Sequence, residues 1–554
     1  MKMKKVLMTT GIAMLSLITL AACGSGGSGS KSGGSESKGA AAADKLPEAR
    51  FEADKETPSW QKDTDHAAKL KWYVNFDWYA QPGWAKDTVT KKIKDDMNID
   101  VEFVSGNDEK LNTMLAGGDL PDLMTFDKNL SAATEAPKFA LPLNKLAEKY
   151  DPYFTEHAAK KESLKWFTLE DGNIYGYPSF STTKKDYDDG NVVGDQVFIV
   201  RKDIYEKIGS PDMSTPEGFL DALKKAKEAF PKADDGSDLV AFGSTALDIA
   251  NGGDGAYGGI LQDFLNIAPS KDGKFNDRDS DPEYLAWLET FRKAYNEGFI
   301  TNDQFSDNDN TMKEKLGQGR YFAYLHTNTK GLNEFMSDNN ARNAEETYIA
   351  VDGPKNSKGE NPTFSGGNIG GWTQTFVTTS TKEPQKAMEL LTYLASEYGT
   401  MVTTFGVEGE TYNLVDGKVE YSKETEDLRN ADIAKFDKTV GLGSYWFVGN
   451  DNYAIQMGQK PATSIRQMVE WASDKLAPRF EIEDIDPKSG SEARNLTKIN
   501  TERVQALVAL IQSKSEDEGK QIWDNYLASR DNNGWDKIID HRNKKIQENI
   551  EKLK

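Results

Sequence analysis

The chain has 554 residues with 68 Lys plus Arg against 89 Asp plus Glu, a formal net charge of −21, and no long basic block, so nucleic acid and anionic lipid headgroups are poor partners. Cys23 is the only cysteine, which excludes an internal disulfide and any metal or redox site built on cysteines. The histidines, His66, His157, His326 and His541, are scattered without ligand-like spacing, and no metal or other cofactor is expected.

The amino terminus reads as an export signal: Lys2, Lys4 and Lys5 precede an apolar run from Val6 to Ala22. Thr9, Thr10, Gly11, Ser16 and Thr19 interrupt that run, which makes a permanent span the poorer reading. It ends in Leu20-Ala21-Ala22-Cys23, which resembles the bacterial lipobox, so residues 1–22 are expected to be removed and Cys23 to be acylated. From Gly24 to Lys45 the sequence is mostly Gly, Ser, Ala and Lys, too poor in large apolar groups to offset its ordering entropy. A flexible tether is expected there, continuing to residue 67, with a reach of roughly 25 Å for about 20 residues.

About 500 residues remain, more than one hydrophobic core usually serves, so at least two lobes are expected. Leu70–Phe76 reads as a strand, followed by a loop with Asp77, Trp78, Tyr79, Pro82, Gly83 and Trp84. Val89, Ile93 and Met97 recur at helical spacing, and Ile99–Val104 is a second strand. A short helix with Leu111, Met114 and Leu115 ends at Gly117-Gly118, and Asp122–Asp127 is a third strand. Strand alternating with helix in this way predicts a parallel sheet with crossover helices.

Phe198–Tyr205 predicts a strand running into a helix, and Thr215-Pro216 a helix start, with a cap and proline at the first helical position. Asp281-Pro282 starts a helix that Gly298 stops, and Pro384 starts another reaching Gly399. From Pro461 to Lys554 the pattern is charged and helical in period, which predicts a helical C-terminal portion packed on the lobes.

Several segments together resemble the carbohydrate-type extracellular solute-binding proteins of ABC importers, particularly the long lipoprotein subgroup. They are Leu115–Asp122, Asp272-Gly273-Lys274 ahead of the helix from Asp281 to Gly298, and Gly317–Ala323. Gly370-Gly371-Trp372, Phe376–Ser380 and Phe405–Tyr412 complete the series. The resemblance implies a two-lobed α/β fold of the periplasmic-binding-protein type (type II), with a hinge and ligand held between the lobes. On this chain it places the hinge crossings near 178–197, 366–376 and 405–412. Lobe one is then 68–180 plus 372–406, and lobe two 181–371 plus 407–554. It also implies no enzymatic activity, a monomer lipid-anchored on the extracellular face of a Gram-positive-type membrane, and the permease subunits as partners. Some relatives carry a calcium loop after the helix that here begins at Pro216. Pro231–Asp238 departs from that pattern, having no Asp-x-Asp-x-Asp ladder. Asn276, Asp277, Asp279, Asp281 and Glu283 offer a denser set of oxygens, although a helix cap explains Asp281 better.

A sugar presents apolar C–H faces ringed by hydroxyls, so its site needs aromatic platforms beside polar groups, placed at the carboxyl ends of parallel strands. Asp77, Trp78 and Trp84 follow the first strand, and Asp127 ends the third, where a surface cap is the alternative. Trp372 sits among glycines at an expected crossing. Tyr257, also among glycines, and Tyr445-Trp446 are candidates from lobe two. Trp72, Trp166, Trp287, Trp471 and Trp523 lie on apolar periodicities and are expected in the core. An oligosaccharide is the leading ligand and a peptide the alternative. A secreted glycan hydrolase would need two carboxylates about 5 to 9 Å apart across the cleaved bond. No strand-ending Glu pair, Gly-x-Ser-x-Gly elbow or His-Glu-x-x-His motif supports it. A surface adhesin is the third reading.

Overall fold

The computed structural model describes residues 38–81 and 83–554; the export signal, Cys23 and the tether to residue 37 lie outside them. No helix among the described residues is long and apolar enough to cross a membrane. Nine strands build the two main sheets: β1 (Ala68–Val74), β2 (Ile99–Ser105), β3 (Leu123–Asp127), β4 (Gly176–Pro178), β5 (Gln196–Arg201), β6 (Val240–Ser244), β7 (Tyr321–Thr327), β8 (Tyr348–Ala350) and β9 (Thr373–Val377).

The first sheet has the order β2-β1-β3-β9-β4. β1 lies parallel to both β2 and β3, as the alternation of strand and helix predicts, while β9 returns antiparallel between β3 and β4. Leu70, Trp72 and Val74 of β1 pack with Ile93 and Met97 of the helix Thr88–Met97, which Asp87 caps and Asn98 ends in the left-handed conformation. The Trp72 indole donates to Thr125 Oγ1 at 2.9 Å, so its one polar group is satisfied in the core.

The second sheet has the order β8-β5-β7-β6. Its core joins Phe198, Phe219, Phe242, Trp287 and Phe291 to Leu507, Leu510, Trp523 and Ile538 of the three C-terminal helices, Gly490–Gln512, Glu516–Asn532 and Trp535–Leu553. Buried ion pairs secure that docking: Arg503 holds Asp254 at 2.5 Å and Arg530 holds Asp277 at 2.8 Å. Asp279 accepts from Tyr526 at 2.7 Å through one carboxylate oxygen, and Asp281 caps the helix Pro282–Asn296. Asp234, Asp235 and Asp238 likewise face Arg342, Arg320 and Lys232. Among the described residues no group of three or more His, Cys, Asp or Glu could hold a metal ion.

The chain leaves the first sheet for the second between β4 and β5 and returns between β8 and β9. The third crossing differs from the expectation of 405–412. The hairpin Tyr412–Val415/Lys418–Tyr421 packs on Met401, Phe405 and Ala454, and Phe447 inserts beside Trp72 in the first core. The chain joins the second sheet's side only at Ile465, Met468 and Val469. Residues 412–457 therefore stay with the first sheet, because their aromatic and aliphatic groups complete its core. The helix from Pro384 also differs: it ends at Ala395, and Ser396 caps a second helix, Glu397–Phe405, with Gly399 in its first turn.

The described end of the expected tether is docked. Lys38–Ala43 is helical, with Gly39 so close to the body that a Cβ would lie 2.0 Å from the Ala140 carbonyl oxygen. Ala42, Leu46 and Ala49 rest on the first core, Arg50 pairs with Asp63, and Ser59 Oγ donates to the Tyr150 carbonyl at 2.7 Å. Small side chains fit closely here, which is why the scarcity of large apolar groups misleads.

Candidate functional site

The carboxyl ends of β1, β2 and β3 and the start of β9 share one edge of the first sheet. Four aromatic rings gather there. Trp78 is 60% exposed and Trp372 37%, and their rings lie 6.3 Å apart and 9° from parallel. Trp446 lies 4.8 Å from Trp372 and 5.3 Å from Trp78, again close to parallel. Phe76 is the pedestal, 5.1 to 5.3 Å from all three. The result is a stepped indole surface, most open at Trp78.

The backbone fixes this surface. Gly371 adopts φ 63°, and a Cβ there would lie 1.9 Å from the Ser179 carbonyl oxygen, so only glycine lets β9 enter beside the loop after β4. The Trp372 N–H donates to Ser179 O at 3.2 Å, its carbonyl accepts from Lys128 N at 3.1 Å, and its indole Nε1–H donates to Asp127 Oδ2 at 3.1 Å. Asp127 is thus both a rim carboxylate and the brace of the indole. Phe447 anchors Trp446 from beneath, 4.9 Å from Trp72.

Two cavities adjoin this surface. One of about 680 Å³ is lined by Phe76, Asp77, Trp78, Asp108, Glu109 and Asp127. The other, of about 580 Å³, lies between the two sheets' edges and is lined by Phe180, Asp195, Asn328, Lys330, Trp372 and Asn452. Burial pushes the Asp195 carboxyl above the usual range, against the pull of Lys330. Burial opposes the Lys330 charge too, but Asp451, 2.6 Å away, outweighs it and raises the ammonium. Lys128 behaves the same way: Glu483 and Asp484 outweigh its burial. This last pair ties the first sheet's edge to the segment carried by the last helix, where Asn549 donates to the carbonyls of Glu481 and Glu483.

Of the residues the sequence marks, the structure brings together Asp77, Trp78, Asp127, Trp372 and Trp446. Three others lie away from this surface. Trp84 leans on Phe103 and donates to the Ile99 carbonyl at 3.1 Å, half-buried on the β2 side. Tyr257 is fully buried, 5.1 Å from Phe291 in the second core, because the glycines around it let the chain turn inward. Tyr445 is 3% exposed, packed on Phe103 and Phe447, and it stands with Trp446 on the first sheet's side instead of the second. Sequence reasoning misses Phe76, Asp108, Asp195 and Lys330. Phe76 carries a usable signal, an aromatic at a strand's carboxyl end just ahead of the exposed Trp78.

The model of one family, the bacterial extracellular solute-binding proteins, matches residues 88–409, more than half of the chain. The chain belongs to that family. Solved structures similar to this solute-binding protein include the alginate-binding protein AlgQ2 without calcium ion, with TM-score 0.60 and 18% identity over 87% of this chain and 99% of that one. An HMO binding, ABC-transporter associated solute-binding protein from Bifidobacterium longum infantis gives TM-score 0.62 and 17% identity, with 87% and 99% covered. The substrate-binding protein FusA of S. pneumoniae, in complex with kestose, gives 0.60 and 16%, again with 87% and 99% covered. At these identities the likeness shows the fold, the two-lobed periplasmic-binding-protein architecture. No curated protein matches the chain.

Proposed function

We propose that this solute-binding protein, acylated at Cys23 and held on the outer face of the cell membrane, captures an oligosaccharide between its lobes and hands it unaltered to an ABC transporter permease. The lobes are taken as residues 68–178 with 373–457, and 196–350 with 465–554. The observation that carries the reading is the indole surface of exposed Trp78 and Trp372 and half-buried Trp446, braced by Asp127 at the strands' carboxyl ends. Flat apolar faces beside carboxylates and amides suit the C–H faces and hydroxyls of a sugar. The names of three proteins with this fold, the alginate-binding protein AlgQ2, the HMO binding protein and FusA with kestose, point the same way.

In mechanism, the guest docks on the lobe-one surface, and contacts with the polar edge of lobe two, Asp195 and Asn328 among them, stabilise the closed form. This is a population shift driven by differential affinity, without covalent chemistry. A thermal-shift screen of oligosaccharides and peptides tests it, since a tight ligand at a hundred times its Kd adds about 2.7 kcal/mol. At least one oligosaccharide should raise the melting temperature and be recovered with its mass unchanged. A response to peptides alone, or a cleaved product, overturns the reading. Cys23→Ala should abolish fatty-acid labelling.

A further inference from the structure

The charge around the indole surface narrows the guest further. The loops after β1, β2 and β3 bring Asp77, Asp108, Glu109 and Asp127 to one rim, with no Lys or Arg lining that cavity among the described residues. Asp127 accepts from Trp372 and from Asn129 N, and Asp108 accepts from Asn75, whereas the exposed carboxylates of Asp77 and Glu109 have no partner among the described residues. The ammonium groups nearby already have protein partners: Lys330 pairs with Asp451, Lys128 with Glu483 and Asp484, Lys488 with Asp484, and Lys110 donates to the Ser105 carbonyl at 3.0 Å. Asp195 adds a further carboxyl on the opposite side.

Resting on the reading above, we infer that the guest is an oligosaccharide without anionic groups, and that Asp77 and Glu109 select it by accepting hydroxyl hydrogen bonds while repelling uronate, sulfate or phosphate. The site is the aromatic surface; the carboxylates set what may lie on it. A rim of acceptors makes charge-assisted bonds with hydroxyl donors and offers nothing to a carboxylate. A guest carboxylate about 6 Å from one of these groups, at an effective dielectric of about 20, loses roughly a hundredfold in affinity before salt screening. Free carboxylates also favour no neutral competitor that lacks donors, so donor-rich glycans gain most.

The test uses the full chain in thermal-shift and calorimetric titrations with two probe sets, neutral gluco-, xylo- and fructo-oligosaccharides and oligomers of polygalacturonate and alginate. A neutral oligomer should bind at least tenfold more tightly than any uronate oligomer at low salt. The double variant D77N/E109Q, whose ligand-free melting temperature should stay close to the parent's because both side chains are exposed and the change is isosteric, should narrow that gap at least tenfold. Uronate oligomers binding the parent as tightly as neutral ones overturn the inference while leaving the oligosaccharide reading intact. An unchanged gap in the double variant overturns the role of these two residues. Silence from both probe sets overturns the reading itself, and the inference with it.

Discussion

The two sheets present different chemistry where they face each other. The edge of the first carries indoles held open by a backbone that leaves no choice of side chain at Gly371. The edge of the second carries Asp195, Asn328 and Lys330, with His326 buried just behind. Tryptophans on the second sheet's side, such as Trp287 and Trp523, are spent on its core, each donating to a backbone carbonyl. The same residue type therefore serves two ends, and the position of strand termini decides which. An apolar surface thus stands on one lobe and polar groups on the other.

Substitutions can break this contrast. The largest effect is expected from Trp287→Ala, which empties the second core and should cost about 3–5 kcal/mol in denaturant unfolding, with little change in the affinity of whatever folded protein remains. Lys128→Met comes next. It leaves Glu483 unpaired while nearly buried and should cost about 3 kcal/mol, most of it recovered in Lys128→Met/Glu483→Met, as a double-mutant cycle in urea will measure.

Acid should act on the edge of the second sheet. Burial holds the His326 imidazole down to about 4, with Thr245 at 3.0 Å from Nδ1 and the Asn328 carbonyl accepting from Nε2. Between the unfolded value of about 6.5 and that folded value the unfolded chain binds more protons. Stability present above about pH 6.5 is therefore lost as pH falls toward 4, by up to about 3 kcal/mol. His326→Gln should flatten that part of the stability profile in a pH series of melting curves.

Trp372→Ala should act the other way round from Trp287→Ala. It should weaken oligosaccharide binding by about 2 kcal/mol or more and move the ligand-free melting temperature little. A large loss of ligand-free stability instead would make Trp372 a core residue and remove the contrast.

Much of this architecture is legible in the sequence, and the failures share a cause. Apolar periodicity and cap residues mark β1 to β3 and the helices from Thr88, Pro216 and Pro282, because those signals act within one or two turns. The exposure of Trp78 and Trp372 is legible because turn residues surround them. Tyr257 has the same glycine-rich setting yet is buried, since glycine permits an inward turn as readily as an outward one. The lobe of Trp446 and the docking of residues 38–67 depend on partners hundreds of residues away, such as Trp72 for Phe447 and Gln385 for Arg50, which no local pattern reports.

Hydroxyl-radical footprinting of the full chain, with and without a saturating oligosaccharide that raises its melting temperature, is the most direct measurement. Protection should fall on Trp78 and Trp372 and leave Trp84 and Tyr445 unchanged. Unaltered reactivity at both exposed indoles, with protection elsewhere, would contradict the assignment of the sugar site.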